Sequence, residues 1–276
     1  MQKLGQHFLK NAAVLQKIVG ALALADGDRV IEIGSGHGEL TVPLVRAVEN
    51  THAEHCEFFC IEKDHALISR LEQFAAQENS AIGGAGDDVS AGSRVTIIEG
   101  DALKLLPDMV ATKIVGNIPY YITGKLLRTM SELEHKPERT VLLIQKEVAE
   151  RICAAPPDMN RLAASVQFWA DAEIVAQVPR KDFSPAPDVD SAVIVLNANH
   201  HAARDLDPAL YYKAVRAIFA QPRKTLLNNL SAVVGKTIKK NDVNVWIKKI
   251  GIDPNARPQD LNIDQIASIA RTGLWK

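Results

Sequence analysis

Residues 1–200 alternate short runs of β-branched and apolar side chains with longer stretches in which apolar residues recur every three or four positions. The first pattern predicts buried strands, and the second predicts amphipathic helices. A chain that alternates the two usually folds into a parallel sheet with helices on both faces. We therefore predict an α/β fold with seven strands: Arg29–Ile33, Glu57–Ile61, Arg94–Ile98, Lys113–Val115, Thr140–Ile144, Ala172–Val178 and Ser191–Leu196.

The strand pattern stops after Asn197, and from Pro208 onward the apolar side chains recur at helical spacing. In the first such stretch, Leu210, Ala214 and Ile218 fall on one side of a helix. We therefore predict two domains, an α/β domain at residues 1–202 and a small all-α domain at residues 203–276.

The net charge of −1 conceals an uneven distribution of charge along the chain. Residues 204–276 hold thirteen Lys or Arg against six Asp and no Glu, a net of +7, so residues 1–203 carry −8. A basic domain indicates contact with nucleic acid or another acidic surface, although a solvated helical face explains the charge equally well.

Composition also bears on where such a chain works. It is 47% hydrophobic and has no long uncharged apolar run, so we expect neither a disordered chain nor a membrane-spanning helix. The opening MQKLGQHFLK is too short and too polar for a signal peptide. The odd number of cysteines, three, in a chain large enough to need no disulfides indicates a reducing, cytoplasmic setting.

A cluster of His52, His55, Cys56 and Cys60 has residue types that bind zinc. It lacks a second pair of ligands at the spacing that zinc sites use, and Cys60 falls in a predicted buried strand. We expect no metal in this protein.

The strongest local motif is EIGSGHG at residues 32–38, which follows the first predicted strand and precedes a helical stretch. Glycines such as Gly34 and Gly36 allow a sharp turn and a close approach of the backbone to a ligand. The spacing G-x-G-x-G differs from the dinucleotide fingerprint G-x-G-x-x-G. The motif therefore predicts a loop that contacts a nucleotide-like cofactor without holding a pyrophosphate.

Carboxylates follow the next two predicted strands. Glu62 ends the second strand, where open α/β sheets place the acid that binds ribose hydroxyls, and Asp101 follows the third, where a carboxylate can accept from an adenine amino group. Each has another explanation, since Glu62 can act as an acid at a helix N-terminus and Asp101 as an N-cap.

The fourth strand ends in GNIPYY at residues 116–121. Pro119 makes the turn rigid, the side-chain oxygen of Asn117 is an acceptor, and Tyr120 offers a flat face for a purine. This turn predicts a pocket for an exocyclic amine on a planar base. The main-chain carbonyl of Ile118 or Pro119 is the expected second acceptor.

Five further blocks join these motifs in order along the chain. They are KLGQHFL at 3–9, QKEV at 145–148, FSPAPDVDSAV at 183–193, QPRKTL at 221–226, and GIDP at 251–254 with Arg257-Pro258. Together they resemble the small-subunit (16S) ribosomal RNA adenine N6,N6-dimethyltransferases of the KsgA type, which are class I S-adenosylmethionine-dependent methyltransferases. The resemblance spans nearly the whole chain.

The resemblance implies a Rossmann-like seven-stranded class I methyltransferase sheet and S-adenosylmethionine as cofactor. The implied cofactor contacts are His7, Leu9, Gly34, Gly36, Glu62, Asp101 and Asn117. Catalysis is expected from Asn117, Ile118, Pro119 and Tyr120. The implied partner is 16S rRNA in the pre-30S subunit, with two adjacent adenosines of the 3′-terminal hairpin loop as targets and with Arg223 and Lys224 on the RNA.

Three features depart from the family pattern. His7 stands where many members have Asn, Pro222 stands where an Arg is common, and the glycine-rich stretch at residues 79–93 is longer than usual and predicts a mobile surface loop. Three other functions remain open: a 23S rRNA adenine methyltransferase of the antibiotic-resistance type, a DNA adenine methyltransferase, and a non-catalytic 30S assembly factor.

Overall fold

The computed structural model of the chain describes residues 6–51, 55–82, 94–199, 206–234 and 238–275. These residues form two compact units. The sheet unit comprises residues 1–149 and 173–198, and the helical unit comprises residues 150–172 and 199–276.

The described residues form nine strands, which include all seven that the sequence predicts. Their bounds are β1 Phe8–Leu9, β2 Arg29–Ile33, β3 Glu57–Glu62, β4 Arg94–Glu99, β5 Lys113–Asn117, β6 Arg139–Gln145, β7 Ala170–Val178, β8 Phe183–Ser184 and β9 Ser191–Ala198. Seven of them form one sheet in the order β4-β3-β2-β5-β6-β9-β7. The predicted seven-stranded α/β fold is thus confirmed.

The sheet is mostly parallel. β2 pairs with β3 and β5, β3 with β4, and β5 with β6, all in parallel, whereas β6 and β9 are antiparallel. The chain runs outward from β2 to β4 and then returns to place β5 on the other side of β2. Such a reversal opens a crevice at the carboxyl ends of the strands, where ligands of open α/β sheets bind.

Eleven helices are found among the described residues. They are α1 Ala12–Leu22, α2 Thr41–Thr51, α3 His65–Ile82, α4 Ala102–Leu105, α5 Thr123–Glu132, α6 Lys146–Ile152, α7 Arg161–Val166, α8 Pro208–Ile218, α9 Leu226–Val234, α10 Lys240–Lys249 and α11 Ile263–Ala270. Asn11 caps α1 by accepting a hydrogen bond from the main-chain N–H of Ala13 at 3.0 Å. No helix in these ranges is both long and apolar enough to cross a bilayer.

A two-stranded ribbon of β1 and β8 was not predicted. Leu9 pairs with Phe183, and the main-chain N–H of Lys10 donates to the carbonyl of Asp182 at 2.8 Å. The Asn11 side chain also donates to the carboxylate of Asp182 at 2.8 Å. The ribbon therefore holds the N-terminal block of the sequence against the proline-rich block before β9.

The helical unit contains a stretch that the sequence assigns to the first domain. Tyr211 of α8 is fully buried, stacks on Phe168 at a ring distance of 3.8 Å and donates its hydroxyl to the carbonyl of Ala164 at 2.9 Å. These contacts explain why residues 150–172 group with the C-terminal helices, a difference from the predicted domain of residues 1–202. The predicted boundary itself, at 202 and 203, lies outside the described residues.

The predicted glycine-rich loop at residues 79–93 also lies mostly outside the described residues. Its first part, to Ile82, is the end of α3. There the Asn79 side chain exchanges two hydrogen bonds of 3.0 Å with the main chain of Val95 in β4.

Candidate active site

A cavity of about 370 Å³ lies in the sheet unit at the carboxyl ends of β2, β3, β4 and β5. All of the residues that the sequence proposes for the cofactor and for catalysis line it: His7, Leu9, Gly34, Gly36, Glu62, Asp101, Asn117, Ile118, Pro119 and Tyr120. The structure therefore brings together, in one place, side chains that are as much as 113 positions apart in the sequence. Their individual roles stay predictions.

The glycine loop after β2 needs its glycines. The N–H of Gly34 donates to the carbonyl of Ile61 at 2.8 Å, and both Gly34 and Gly36 have positive φ, at +74° and +60°. A Cβ on Gly36 would lie 3.1 Å from the ring of Phe8. Side chains rarely adopt such φ values, and here one would also displace the N-terminal strand that covers the loop.

Glu62 joins the glycine loop to the end of β3. Its carboxylate is almost fully buried and accepts hydrogen bonds from the main-chain N–H groups of Gly36, Lys63 and Asp64, each at 2.8 Å. Charge-assisted bonds of this kind fix the orientation of a carboxylate. Glu62 is thus held at the wall of the cavity by the main chain on two sides.

Asp101 caps α4 and also lines the cavity. Its side chain accepts a hydrogen bond from the N–H of Leu103 at 3.1 Å and forms an ion pair with Lys63 at 3.0 Å. Partial burial by itself raises the pKa of Asp101, but the bonds from Lys63 and Leu103 outweigh it and leave the pKa below its usual value. Asp101 is therefore both the N-cap of α4 and a residue of the cavity wall. Its contact with Lys63 was not predicted from the sequence.

Asn117 is the last residue of β5, and its side-chain NH₂ donates to the main-chain carbonyl of His7 at 2.9 Å. Because the NH₂ group makes that bond, Oδ1 of Asn117 remains available as an acceptor. No group of the described residues donates a hydrogen bond to this oxygen. The carbonyl of Pro119 accepts the N–H of Ile122 at 3.1 Å, whereas the carbonyl of Ile118 has no such main-chain donor in the described ranges. Of the two expected carbonyl acceptors, that of Ile118 is therefore the one that no main-chain donor of the described residues occupies.

Tyr120 is half-buried, and its hydroxyl shares a hydrogen bond of 2.6 Å with Ser191. Burial raises the pKa of Tyr120, and the bond with Ser191 offsets only part of the rise, so the phenol stays protonated near neutral pH. The His7 ring stacks 5.9 Å from the Tyr120 ring, and its Nδ1 donates to the carbonyl of Pro185 at 2.9 Å. Ser191 and Pro185 both belong to the block at residues 183–193 that carries the resemblance, but the sequence assigned neither of them a role.

Glu32 lies in the wall of the cavity at the end of β2. It is 2% exposed, and its carboxylate accepts a hydrogen bond from the Thr41 hydroxyl at 2.6 Å. Burial raises the pKa of Glu32 to about 7, and the bond from Thr41 limits the rise. A carboxyl group with such a pKa changes its charge within the physiological range.

Arg223 and Lys224 belong to the helical unit, where both side chains are exposed between α8 and α9. The buried side chain of Asn229 holds this segment in place. It accepts a hydrogen bond from the main-chain N–H of Gln221 at 2.9 Å and donates one to the carbonyl of Gln221 at 3.0 Å. The turn thus presents the two basic side chains to solvent.

The residues weighed as zinc ligands fall in different settings. Cys60 is buried in β3, as the sequence predicts, and His52 lies outside the described residues. Across the part of the chain that the structure describes, no three His, Cys, Asp or Glu side chains are grouped so that they could hold a metal ion.

Comparison with known proteins gives consistent matches over the whole length of the chain. The family model for ribosomal RNA adenine dimethylase matches residues 1–272. A ribosomal RNA small subunit methyltransferase A from Dehalococcoides mccartyi is 35% identical, over 95% of this chain and 84% of that protein. One of the same name from Geobacillus thermodenitrificans is 36% identical, over 98% of this chain and 89% of that protein.

Two solved structures are similar over most of both chains. A dimethyladenosine transferase from Plasmodium falciparum has a TM-score of 0.75 at 25% identity and covers 95% of this chain and 96% of its own. The 23S rRNA methyltransferase ErmE has a TM-score of 0.69 at 20% identity, with 95% and 98% covered, which supports the fold alone.

Proposed function

Because the chain belongs to the ribosomal RNA adenine dimethylase family, we propose that its cavity holds S-adenosylmethionine beside an adenine of 16S rRNA. The protein is an enzyme that dimethylates adenine in ribosomal RNA. The observation that supports the proposed cofactor and substrate most strongly is that the Asn117–Tyr120 turn and the Gly34–Gly36 loop line the same cavity.

The cavity fits a cofactor of this kind in shape. It is of the size that a cofactor occupies, and the absence of a side chain at Gly36 leaves main chain at its wall. Glu62 would bind the ribose, Asp101 the adenine, and His7, Leu9 and Asn117 the remainder. When bound, the cofactor supplies an electrophilic methyl group.

The charge of the cavity also suits S-adenosylmethionine. Its lining includes Glu32, Glu39, Glu62 and Asp101. A sulfonium cofactor with an ammonium group is attracted by such acids, and the acidic character of residues 1–203 serves the same purpose.

The target amine needs careful placement, because the N6 lone pair of adenine is delocalised into the ring and is a poor nucleophile. Oδ1 of Asn117 and the carbonyl of Ile118 would each accept one N6 hydrogen, which directs the lone pair at the methyl group. Tyr120 would stack on the base, with its ring fixed by Ser191. Positioning of this kind can supply most of the rate enhancement of such a transfer.

No strong base is required at the target. The proton leaves N6 after methyl transfer has made the nitrogen acidic, and Tyr120 stays protonated because burial raises its pKa. The base must be unpaired or flipped to enter the cavity. A loop of the RNA satisfies this condition.

The proposed substrate is the pair of adjacent adenosines in the 3′-terminal hairpin loop of 16S rRNA, methylated in the 30S particle during ribosome biogenesis in the cytoplasm. The name small subunit methyltransferase A, carried by relatives at 35% and 36% identity, supports the small-subunit choice. The basic helical unit, through Arg223 and Lys224, would contribute attraction for RNA phosphates.

The experiment that tests this function is incubation of the purified protein and S-adenosylmethionine with small and large ribosomal subunits that lack adenine methylation, followed by mass-spectrometric mapping. The proposal predicts dimethyladenosine at two adjacent positions of 16S rRNA. Methylation of 23S rRNA would support the antibiotic-resistance type, and methylation of duplex DNA would support a DNA enzyme. Binding to 30S particles without transfer would support the assembly factor.

A further inference from the structure

Tyr121 lies at the mouth of the cavity and is unusually exposed. At 65% exposed, it is the most exposed large apolar side chain among the described residues. It follows Tyr120 in the same short 3-10 turn and also lines the cavity. An aromatic face left in water beside a binding site is a surface on which a base can stack.

Lys125 lies four residues further on, in the first turn of α5, and is exposed as well. It lines the cavity together with Lys63, but the two lysines differ in their contacts. Lys63 is paired with Asp101 at 3.0 Å, whereas no ion pair or hydrogen bond to Lys125 is found within the described part of the chain.

The charge of the cavity indicates which ligand Lys125 serves. Acids line the cavity and suit a cationic methyl donor. A lysine whose charge is not neutralised repels that donor but attracts the phosphates of RNA. Tyr121 lies in the 3-10 turn that leads directly into α5, Lys125 lies in the first turn of that helix, and both line the cavity, so a stacking face and a phosphate contact are offered at the same mouth.

We propose that Tyr121 and Lys125 form a docking surface for the nucleotide next to the adenosine that is methylated. Tyr121 stacks on the base of that neighbour, and Lys125 pairs with its phosphate. The inference rests on the proposed function, because it takes the target base to occupy the space beside Tyr120.

The test is steady-state methylation of 30S particles that lack adenine methylation, at several salt concentrations, with four variants. Tyr121→Ala raises KM for the particles about tenfold, and Tyr121→Phe, which keeps the ring, restores it. Lys125→Gln raises KM and lowers the slope of its salt dependence by about 1, and Lys125→Arg restores both. In all four variants kcat and the affinity for S-adenosylmethionine, measured by calorimetry, stay within about twofold of the wild type.

Arg128→Gln is the matched control. Arg128 is an exposed basic residue one turn along α5, and its charge is already paired with Glu132 at 3.0 Å. The Arg128→Gln variant leaves KM for the particles and the slope of its salt dependence unchanged. An equal effect of Arg128→Gln would reduce the role of Lys125 to general surface charge and overturn the inference.

Two further results would overturn it. Weaker cofactor binding by Tyr121→Ala with an unchanged KM would assign Tyr121 to the cofactor, and unchanged kinetics in both Tyr121→Ala and Lys125→Gln would leave the surface without a ligand. Failure of the proposed function is a separate result, since then the wild-type protein itself transfers no methyl group to the particles and both proposals fall.

Discussion

Two buried acids of the cavity differ in what donates to them. The carboxylate of Glu62 accepts hydrogen bonds from three main-chain N–H groups. The carboxylate of Glu32, which is 2% exposed, accepts one from the Thr41 hydroxyl. Burial therefore dominates at Glu32 and raises its pKa to about 7. A group whose pKa is raised on folding stabilises the fold below its unfolded pKa, and that stabilisation is lost as the pH rises through the folded pKa.

Glu32→Gln tests this effect on stability. Between about pH 4.5 and 7 the wild type loses free energy of unfolding, because Glu32 ionises in the unfolded chain but stays protonated in the folded one, and the variant has no such loss. The variant gains up to about 3 kcal/mol relative to the wild type between pH 5 and pH 8, measured by urea unfolding. Glu132→Gln, an exposed acid of α5, keeps the wild-type profile. An identical pH profile for Glu32→Gln and the wild type would show that Glu32 does not titrate in this range.

The cavity residues could be predicted from the sequence where a strand ends in a distinctive motif. Gly34, Glu62, Asp101 and Asn117 each follow or end a readable strand, and all line the cavity. Lys63 could not be predicted as a partner of Asp101, because the ion pair joins positions 38 residues apart across two strand ends. The contact of Ser191 with Tyr120 depends on tertiary packing in the same way.

At the scale of elements, the glycine loop and β1 act as one part of the cavity wall. Gly36 lies against the ring of Phe8, and β1 is in turn paired with β8. The position of the loop is therefore coupled to the ribbon that holds the N-terminal segment.

Gly36→Ala tests this coupling. The substitution places a Cβ 3.1 Å from Phe8 in a residue with φ of +60°, so we expect both backbone strain and a displaced β1. S-adenosylmethionine binding, measured by calorimetry, should weaken about tenfold, because Phe8 and the loop must move apart by a few tenths of an ångström, less than the 1 Å misplacement that can cost about 100-fold. Gly27→Ala is the control, since Gly27 has φ of +73° and no atom within 4 Å of the added Cβ. Equal cofactor affinity in the Gly36 variant would contradict the coupling.

The seven strands of the main sheet could be predicted, because each is a run of β-branched and apolar residues long enough to be recognised. Strands β1 and β8 were missed because a two-residue strand shows no alternation. The grouping of residues 150–172 with the C-terminal helices was missed for a different reason. It depends on Tyr211 meeting Phe168 and Ala164, contacts between distant positions that no local pattern indicates.

At the scale of the whole molecule, the two parts of the sequence carry opposite net charge. Residues 1–203 carry −8 and residues 204–276 carry +7. On the proposed function, the acidic part suits a cationic cofactor and the basic part suits RNA. The near-zero net charge is therefore no argument against a nucleic-acid substrate.

Replacing Arg223 and Lys224 together with Ala tests the basic part. We expect weaker binding to 30S particles, with the slope of log affinity against log salt concentration reduced by about 2, because two phosphate contacts are lost. Lys248→Ala with Lys249→Ala removes the same charge from the end of α10 and should have a smaller effect. Equal losses in the two double variants would assign the binding to overall charge.

In the proposed mechanism, Asn117 holds the target amine in the cavity. Asn117→Ala removes the Oδ1 acceptor and the bond to the His7 carbonyl, while the buried core of the sheet unit is unchanged. The most direct measurement is the rate of methyl transfer by this variant to 30S particles that lack adenine methylation, with thermal unfolding as the check on the fold. We expect a loss of about 100-fold or more at an unchanged Tm. A folded Asn117→Ala variant that methylates at close to the wild-type rate would contradict it.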